Sequence, residues 1–172
     1  MKRSQLTMFV RENLAGPIEA IRIIVDPVQH SLIPAHVTLC REDELEKYEG
    51  WRERLAAMPA EMILQTLRFG RAESFAGHGI LLPCIEGIER FRILRQTILG
   101  SDTIRDARPH MTLAHPRNPK SPGNAIEIAC GLPSEFEITF DTIRLIEQFD
   151  SNPWNVVETS GSNSPLERHE SE

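Results

Sequence analysis

A tetrapeptide occurs twice in this chain. His36-Val37-Thr38-Leu39 returns as His110-Met111-Thr112-Leu113. The repeat lies inside a coarser one. A strand ending at Val10 leads to a helix over 18–25 and then to His36. A strand ending at Ile85 leads to a helix over 88–99 and then to His110. Val10 and His36 are 26 residues apart, and Ile85 and His110 are 25 apart. Two strand–helix–strand units of matching length predict two similar lobes facing each other across a cleft.

The remaining elements follow from periodicity. Residues 5–10 read as the first strand and 12–16 as a loop, with Pro17 in the first turn of the helix that follows. Asp26-Pro27 stops that helix, because a residue before proline is pushed out of the α region. A loop then runs to Pro34. Residues 42–58 read as one charged helix. Residues 62–76 hold one or two strands, and 78–85 another. Ile88, Phe91, Leu94, Arg95 and Ile98 fall at helical spacing, and Gly100 ends the run. Residues 124–132 read as a short helix or a strand, with the helix favoured. Residues 136–149 alternate as two strands with a turn near Asp141, and 154–159 close the sheet. Residues 1–159 are expected to form a single domain of two pseudo-symmetric lobes. The polar stretch 160–172 is expected to be a disordered tail.

The alternation of a strand gives the repeat its chemistry. Residues i and i+2 share a face. His36 and Thr38 therefore project together, and Val37 and Leu39 anchor the strand from behind. His110 and Thr112 stand in the same relation to Met111 and Leu113. Two such strands would surround a small volume with two imidazoles and two hydroxyls. Imidazole titrates near neutral pH, so one ring can accept a proton while the other donates one. Threonine hydroxyls can donate to phosphate oxygens. This set suits metal-free phosphodiester chemistry.

Composition narrows the classes. A net charge of −6 argues against extended nucleic-acid binding, but not against a small phosphorylated substrate. Cys40, Cys84 and Cys130 are isolated and show no C-x-x-C spacing. That argues against a zinc site and fits a reducing, cytoplasmic setting. No apolar run is long enough for a membrane span. No glycine-rich phosphate loop or carboxylate cluster appears, so no cofactor and no metal is expected.

With "HVTL" at 36–39 and "HMTL" at 110–113, the chain resembles the two-histidine (2H) phosphoesterase superfamily, which includes the 2'-5' RNA ligase-like proteins and cyclic phosphodiesterases. The segments "IEAIRIIVDP…IPAHVTL" and "RPHMTLAHPRN" resemble the family's approaches to its two motifs. The resemblance implies an α+β fold, bilobal and duplicated, with two antiparallel sheets around a central cleft and helices on the outside. It implies His36 and His110 as catalytic acid and base, in either order, and Thr38 and Thr112 as phosphate-binding residues. It implies a small nucleotide or RNA-end substrate with a cyclic or 2'-5' phosphodiester, hydrolysed or, in reverse, ligated.

Three further residues are candidates for the edge of the site. Arg108 lies two residues before His110. His78 lies between glycines that allow close backbone approach. His115 opens the loop after the second motif. The chain is expected to act as a monomer. Two other classes compete with the phosphodiesterase reading. One is a non-catalytic nucleotide- or RNA-end-binding module on the same fold. The other is a metal-dependent hydrolase using the histidines as ligands.

Overall fold

The computed structural model describes residues 1–161. Its elements run β1 (Lys2–Phe9), α1 (Glu12–Val25), α2 (Pro27–Leu32), β2 (His36–Cys40), α3 (Glu42–Lys47), α4 (Trp51–Ala56), α5 (Ala60–Ile63), β3 (Gln65–Phe69), β4 (Glu73–Phe75), β5 (Gly79–Glu86), α6 (Ile88–Leu99), β6 (His110–Ala114), α7 (Ile126–Ala129), β7 (Phe136–Phe140), β8 (Thr142–Phe149) and β9 (Asn155–Gly161). This is the expected α+β class. All the strand pairings are antiparallel.

The strands follow one hydrogen-bonded path, β7-β3-β5-β6-β2-β1-β8-β9, with β4 beside β5. The two expected sheets are thus joined. The join falls between the two motif strands, where Val37 pairs with Met111. The sheet cannot be flat. Six inter-strand steps separate β7 from β8, or about 29 Å across a flat sheet at ~4.8 Å per step. Yet only Asp141 lies between Phe140 and Thr142, and two residue steps reach about 7 Å at most. The path must curl until its distant strands meet. β7 and β8 therefore do not form a hairpin; β7 pairs with β3, and β8 with β1 and β9.

Helices cover one face. Ile18, Ile21 and Val25 of α1 and Phe91, Leu94 and Ile98 of α6 belong to one buried cluster with Leu6, Met8, Val37, Leu39, Met111 and Leu113. Each such side chain contributes about 1.5–3 kcal/mol on burial. Two buried arginines tie the helices to the first motif strand and to the segment that leads into it. Arg95 of α6 donates from Nε to Leu39 O at 2.8 Å and from Nη1 to Arg105 O at 2.9 Å, and it pairs with Glu44. Arg22 of α1 donates to Ile33 O at 2.7 Å and pairs with Glu19 at 2.6 Å.

Several boundaries differ from the expectation. α1 begins at Glu12 and runs through Pro17. The proline forgoes one helical hydrogen bond, and four buried residues after it, Ile18, Ile21, Arg22 and Val25, hold the helix to the core. The Asp26-Pro27 stop is as expected, but a helix follows in place of a loop. Asp26 Oδ1 accepts from Gln29 N at 2.9 Å, and Pro27 opens α2. The 42–58 helix is broken at Gly50, whose φ of 73° is left-handed. Ser160 and Gly161, assigned to the tail, complete β9 because they pair with Ile143 and Thr142. The remainder of that tail, 162–172, lies outside the described residues. Among the described residues, no helix is long and apolar enough to cross a membrane.

Candidate active site

The pairing of Val37 with Met111 sets the geometry. Both residues are fully buried on the core face, as are Leu39 and Leu113 to within 1%. His36, Thr38, His110 and Thr112 therefore share the other face. Continuing the antiparallel register by one residue places His36 across from Thr112 and Thr38 across from His110. The histidines stand on the diagonal, with Cα atoms about 7–8 Å apart. The sequence repeat has become a crossed square of two imidazoles and two hydroxyls.

Neighbouring strands extend the square. β1 sets Phe9 against His36 and Thr7 against Thr38. β5 sets Leu81 against Thr112 and Pro83 against His110. β8 sets Arg144 beside Thr7. The Phe9 and His36 ring centroids lie 6.0 Å apart, and the Arg144 guanidinium lies over the Phe9 ring, 5.5 Å from its centroid. Arg144 Nε is buried without a hydrogen-bond partner. Thr7, Phe9 and Arg144 were not singled out from the sequence. Their signal was the strand alternation, but only the register shows that they flank the motif.

The two imidazoles are held in the same way. His36 Nδ1 lies 2.7 Å from Pro34 O, and His110 Nδ1 lies 3.1 Å from Arg108 O. A carbonyl only accepts, so Nδ1 is the protonated nitrogen in each ring. Each neutral ring therefore carries its lone pair on Nε2. Their surroundings differ. His36 is 9% exposed, whereas His110 is exposed. Burial pushes the His36 imidazole down to about 4. The bond to Pro34 O works against that fall, and positive charge at Arg22 and His110 adds to it.

The edge candidates fall elsewhere. The Arg108 side chain turns to β5 and donates from Nε to Cys84 O at 3.0 Å; its carbonyl is what meets His110. His78 bonds Asn118 O at 2.8 Å. It lines a cavity of about 410 Å³ with Ser74, Lys120 and Asn124, whose lining includes neither His36 nor His110. His115 is turned into its own loop. Its Nδ1 accepts from Arg117 N at 3.1 Å, and its backbone N–H donates to Asp26 Oδ2 at 2.8 Å. Burial lowers its pKa, with Arg117 contributing. Among the described residues, no three His, Cys, Asp or Glu side chains converge as a metal cluster.

Comparison with known proteins bears on the family and the fold. The family model of the 2'-5' RNA ligase superfamily matches residues 10–152. The crystal structure of Escherichia coli LigT complexed with ATP is similar in fold, with a TM-score of 0.56 and 15% identity over 93% of this chain and 97% of that one. LigT complexed with phosphate gives a TM-score of 0.54 at 13% identity over 93% and 96%. LigT complexed with 3'-AMP gives 0.53 at 11% over 93% and 97%. A search of curated proteins finds no match. The family model spans both motif strands and most of the fold between and around them, and on that evidence the chain belongs to the 2'-5' RNA ligase superfamily.

Proposed function

We propose that the protein is a phosphodiesterase that cleaves a cyclic or 2'-5' phosphodiester in a small nucleotide or RNA end, without a metal ion. One observation carries this reading: the crossed placement of His36, Thr112, Thr38 and His110 set by the Val37–Met111 pairing. A phosphate lying over that square meets one imidazole Nε2 on each side and the hydroxyls of Thr38 and Thr112.

His36 serves as the base, since burial keeps it neutral at pH 7. Its Nε2 takes a proton from water as the water oxygen bonds to phosphorus. The bond from phosphorus to the leaving oxygen breaks, and His110, entering the step as the imidazolium with both ring nitrogens protonated, delivers the proton from its Nε2 to that oxygen. The products are a phosphomonoester and a free hydroxyl. Thr38 and Thr112 donate to the non-bridging oxygens, where charge redistributes in the transition state. Arg144 and Phe9 lie on the His36 side of the square and form a wall against the nucleoside. LigT has been crystallised with ATP and with 3'-AMP, which supports a nucleotide-sized ligand here.

The test is a panel of 2',3'-cyclic nucleotides, ADP-ribose cyclic phosphate and 2'-5' oligonucleotides, assayed with and without EDTA. Turnover that survives EDTA and disappears in His36→Ala and in His110→Ala supports the proposal. Full rate in either variant overturns it. Binding without turnover across the panel would identify a recognition module.

A further inference from the structure

Resting on the base role given to His36, we propose that Glu19 of α1 is a positioning residue for it, acting through the planar Pro34–Ala35 peptide. The N–H and the C=O of one peptide belong to a single rigid plane. Here both ends are held. The N–H of Ala35 donates to Glu19 Oε1. The C=O of Pro34 accepts from His36 Nδ1 at 2.7 Å. The carboxylate therefore fixes the tilt of the plane, and the plane fixes the ring and its tautomer. Glu19 is itself fixed by Arg22, whose Nη1 donates to Oε2 at 2.6 Å while Nη2 donates to Ile33 O at 2.7 Å. Arg22 and Glu19 thus hold the peptide groups on either side of Pro34.

The arrangement also bears on basicity. A carboxylate accepting from the N–H polarises the peptide and makes its carbonyl a stronger acceptor. A stronger acceptor favours His36 once it takes a proton, and so offsets part of the penalty of a buried cation. The charged and titratable groups around this path are Glu19 and Arg22 of α1, Asp26 beside Arg22, His30 of α2 at 3.7 Å from Glu19, and His110 of β6.

The second histidine has no equivalent. His110 Nδ1 bonds Arg108 O, and the next residue is Pro109. The Arg108–Pro109 peptide has no N–H for a carboxylate to hold. That carbonyl is placed instead by neighbouring contacts with β5, Arg108 Nε to Cys84 O at 3.0 Å and Cys84 N to Pro109 O at 3.0 Å. The two halves repeat the histidine and its carbonyl but not the carboxylate behind it.

The experiment compares Glu19→Gln, Glu19→Met and the double variant Glu19→Met/Arg22→Met, which removes both charges together. Glutamine keeps an acceptor for Ala35 N–H; methionine does not. Imidazole ¹⁵N spectra read the tautomer of each histidine without any substrate. The expected result is His36 protonated on Nδ1 in the wild type and in Glu19→Gln, and a mixture of tautomers in the two methionine variants, with His110 unchanged in all. On a turned-over substrate, kcat falls about a hundredfold in the methionine variants, the glutamine variant recovers most of it, and KM is unchanged. A His36 tautomer that stays on Nδ1 in a folded methionine variant overturns the proposal. The spectra decide this even if no phosphodiester is turned over, so failure of the relay and failure of the enzymatic reading are told apart.

Discussion

Val37 and Met111 face each other across the junction of β2 and β6, both with no exposed surface. Neither side chain can touch a substrate. Their pairing nonetheless decides which hydroxyl each histidine faces. A slip of one residue would turn one motif's His-x-Thr face toward the core. The most informative mutations for activity are therefore on the opposite side of the sheet from the residues that set it.

Removing the square should be severe. His36→Ala and His110→Ala are each expected to lower kcat/KM by about 100- to 10,000-fold, the usual contribution of a general acid or base. Thr38→Ala and Thr112→Ala should each cost less, and Thr→Ser at either position should keep most of the rate because the hydroxyl remains. Steady-state kinetics on the best substrate of the panel checks this, with circular dichroism confirming the fold.

The pH dependence has a defined sign. His36 is pushed down to about 4 in the folded protein, against about 6.5 in the unfolded chain. Between these values the unfolded state binds more protons, so stability falls as pH drops from 6.5 through 4 and is fully present above 6.5. The loss attributable to His36 at pH 4 is about 3 kcal/mol. Urea denaturation at pH 7 and pH 4 measures it, and His36→Gln should remove that part of the slope. The acid limb of kcat/KM in the free enzyme should fall near 4 rather than near 6.5.

Arg144 should separate binding from chemistry. Its Nε has no partner, and its guanidinium covers Phe9 rather than meeting a carboxylate. Arg144→Ala is expected to raise KM for a nucleotide substrate about tenfold, the scale of one lost hydrogen bond to a charged group, with kcat and thermal stability little changed. A stability loss at unchanged KM would contradict this.

Arg95 makes a contrasting case. It is 1% exposed, pairs with Glu44 and holds Leu39 O at the end of the first motif. Arg95→Met leaves Glu44 buried without its main partner and should destabilise by about 3–5 kcal/mol. The double change Arg95→Met/Glu44→Leu should recover much of that loss, which denaturant melts of the four proteins in the cycle will show.

What could be read from sequence follows a physical divide. The motif strands were legible because alternation and β-branched threonine act over five residues. α6 was legible because its apolar spacing and the left-handed Gly100 both act locally. α2 carried a local signal too, an Asp cap followed by proline, but a short helix with no buried residue leaves no apolar stripe. The break at Gly50 was hidden because helical spacing continues on both sides of it. Arg144 and Glu19 were out of reach for another reason. Their importance arises from pairing with residues 137 and 16 positions away in sequence, and no window of sequence contains that register.

Asp141 is the whole connection between β7 and β8, strands six steps apart along the hydrogen-bonded path. Chain and ladders together therefore make a ring: covalent at Asp141, hydrogen-bonded everywhere else. A ring has no free jaw. The motif strands cannot swing apart as two halves of a hinge without tearing a ladder, so the spacing of the two imidazoles is a fixed dimension of the fold. On the proposed function, admission and release of substrate then fall to the loops, and a change in loop length should alter the rate of exchange while leaving the chemical step as it was.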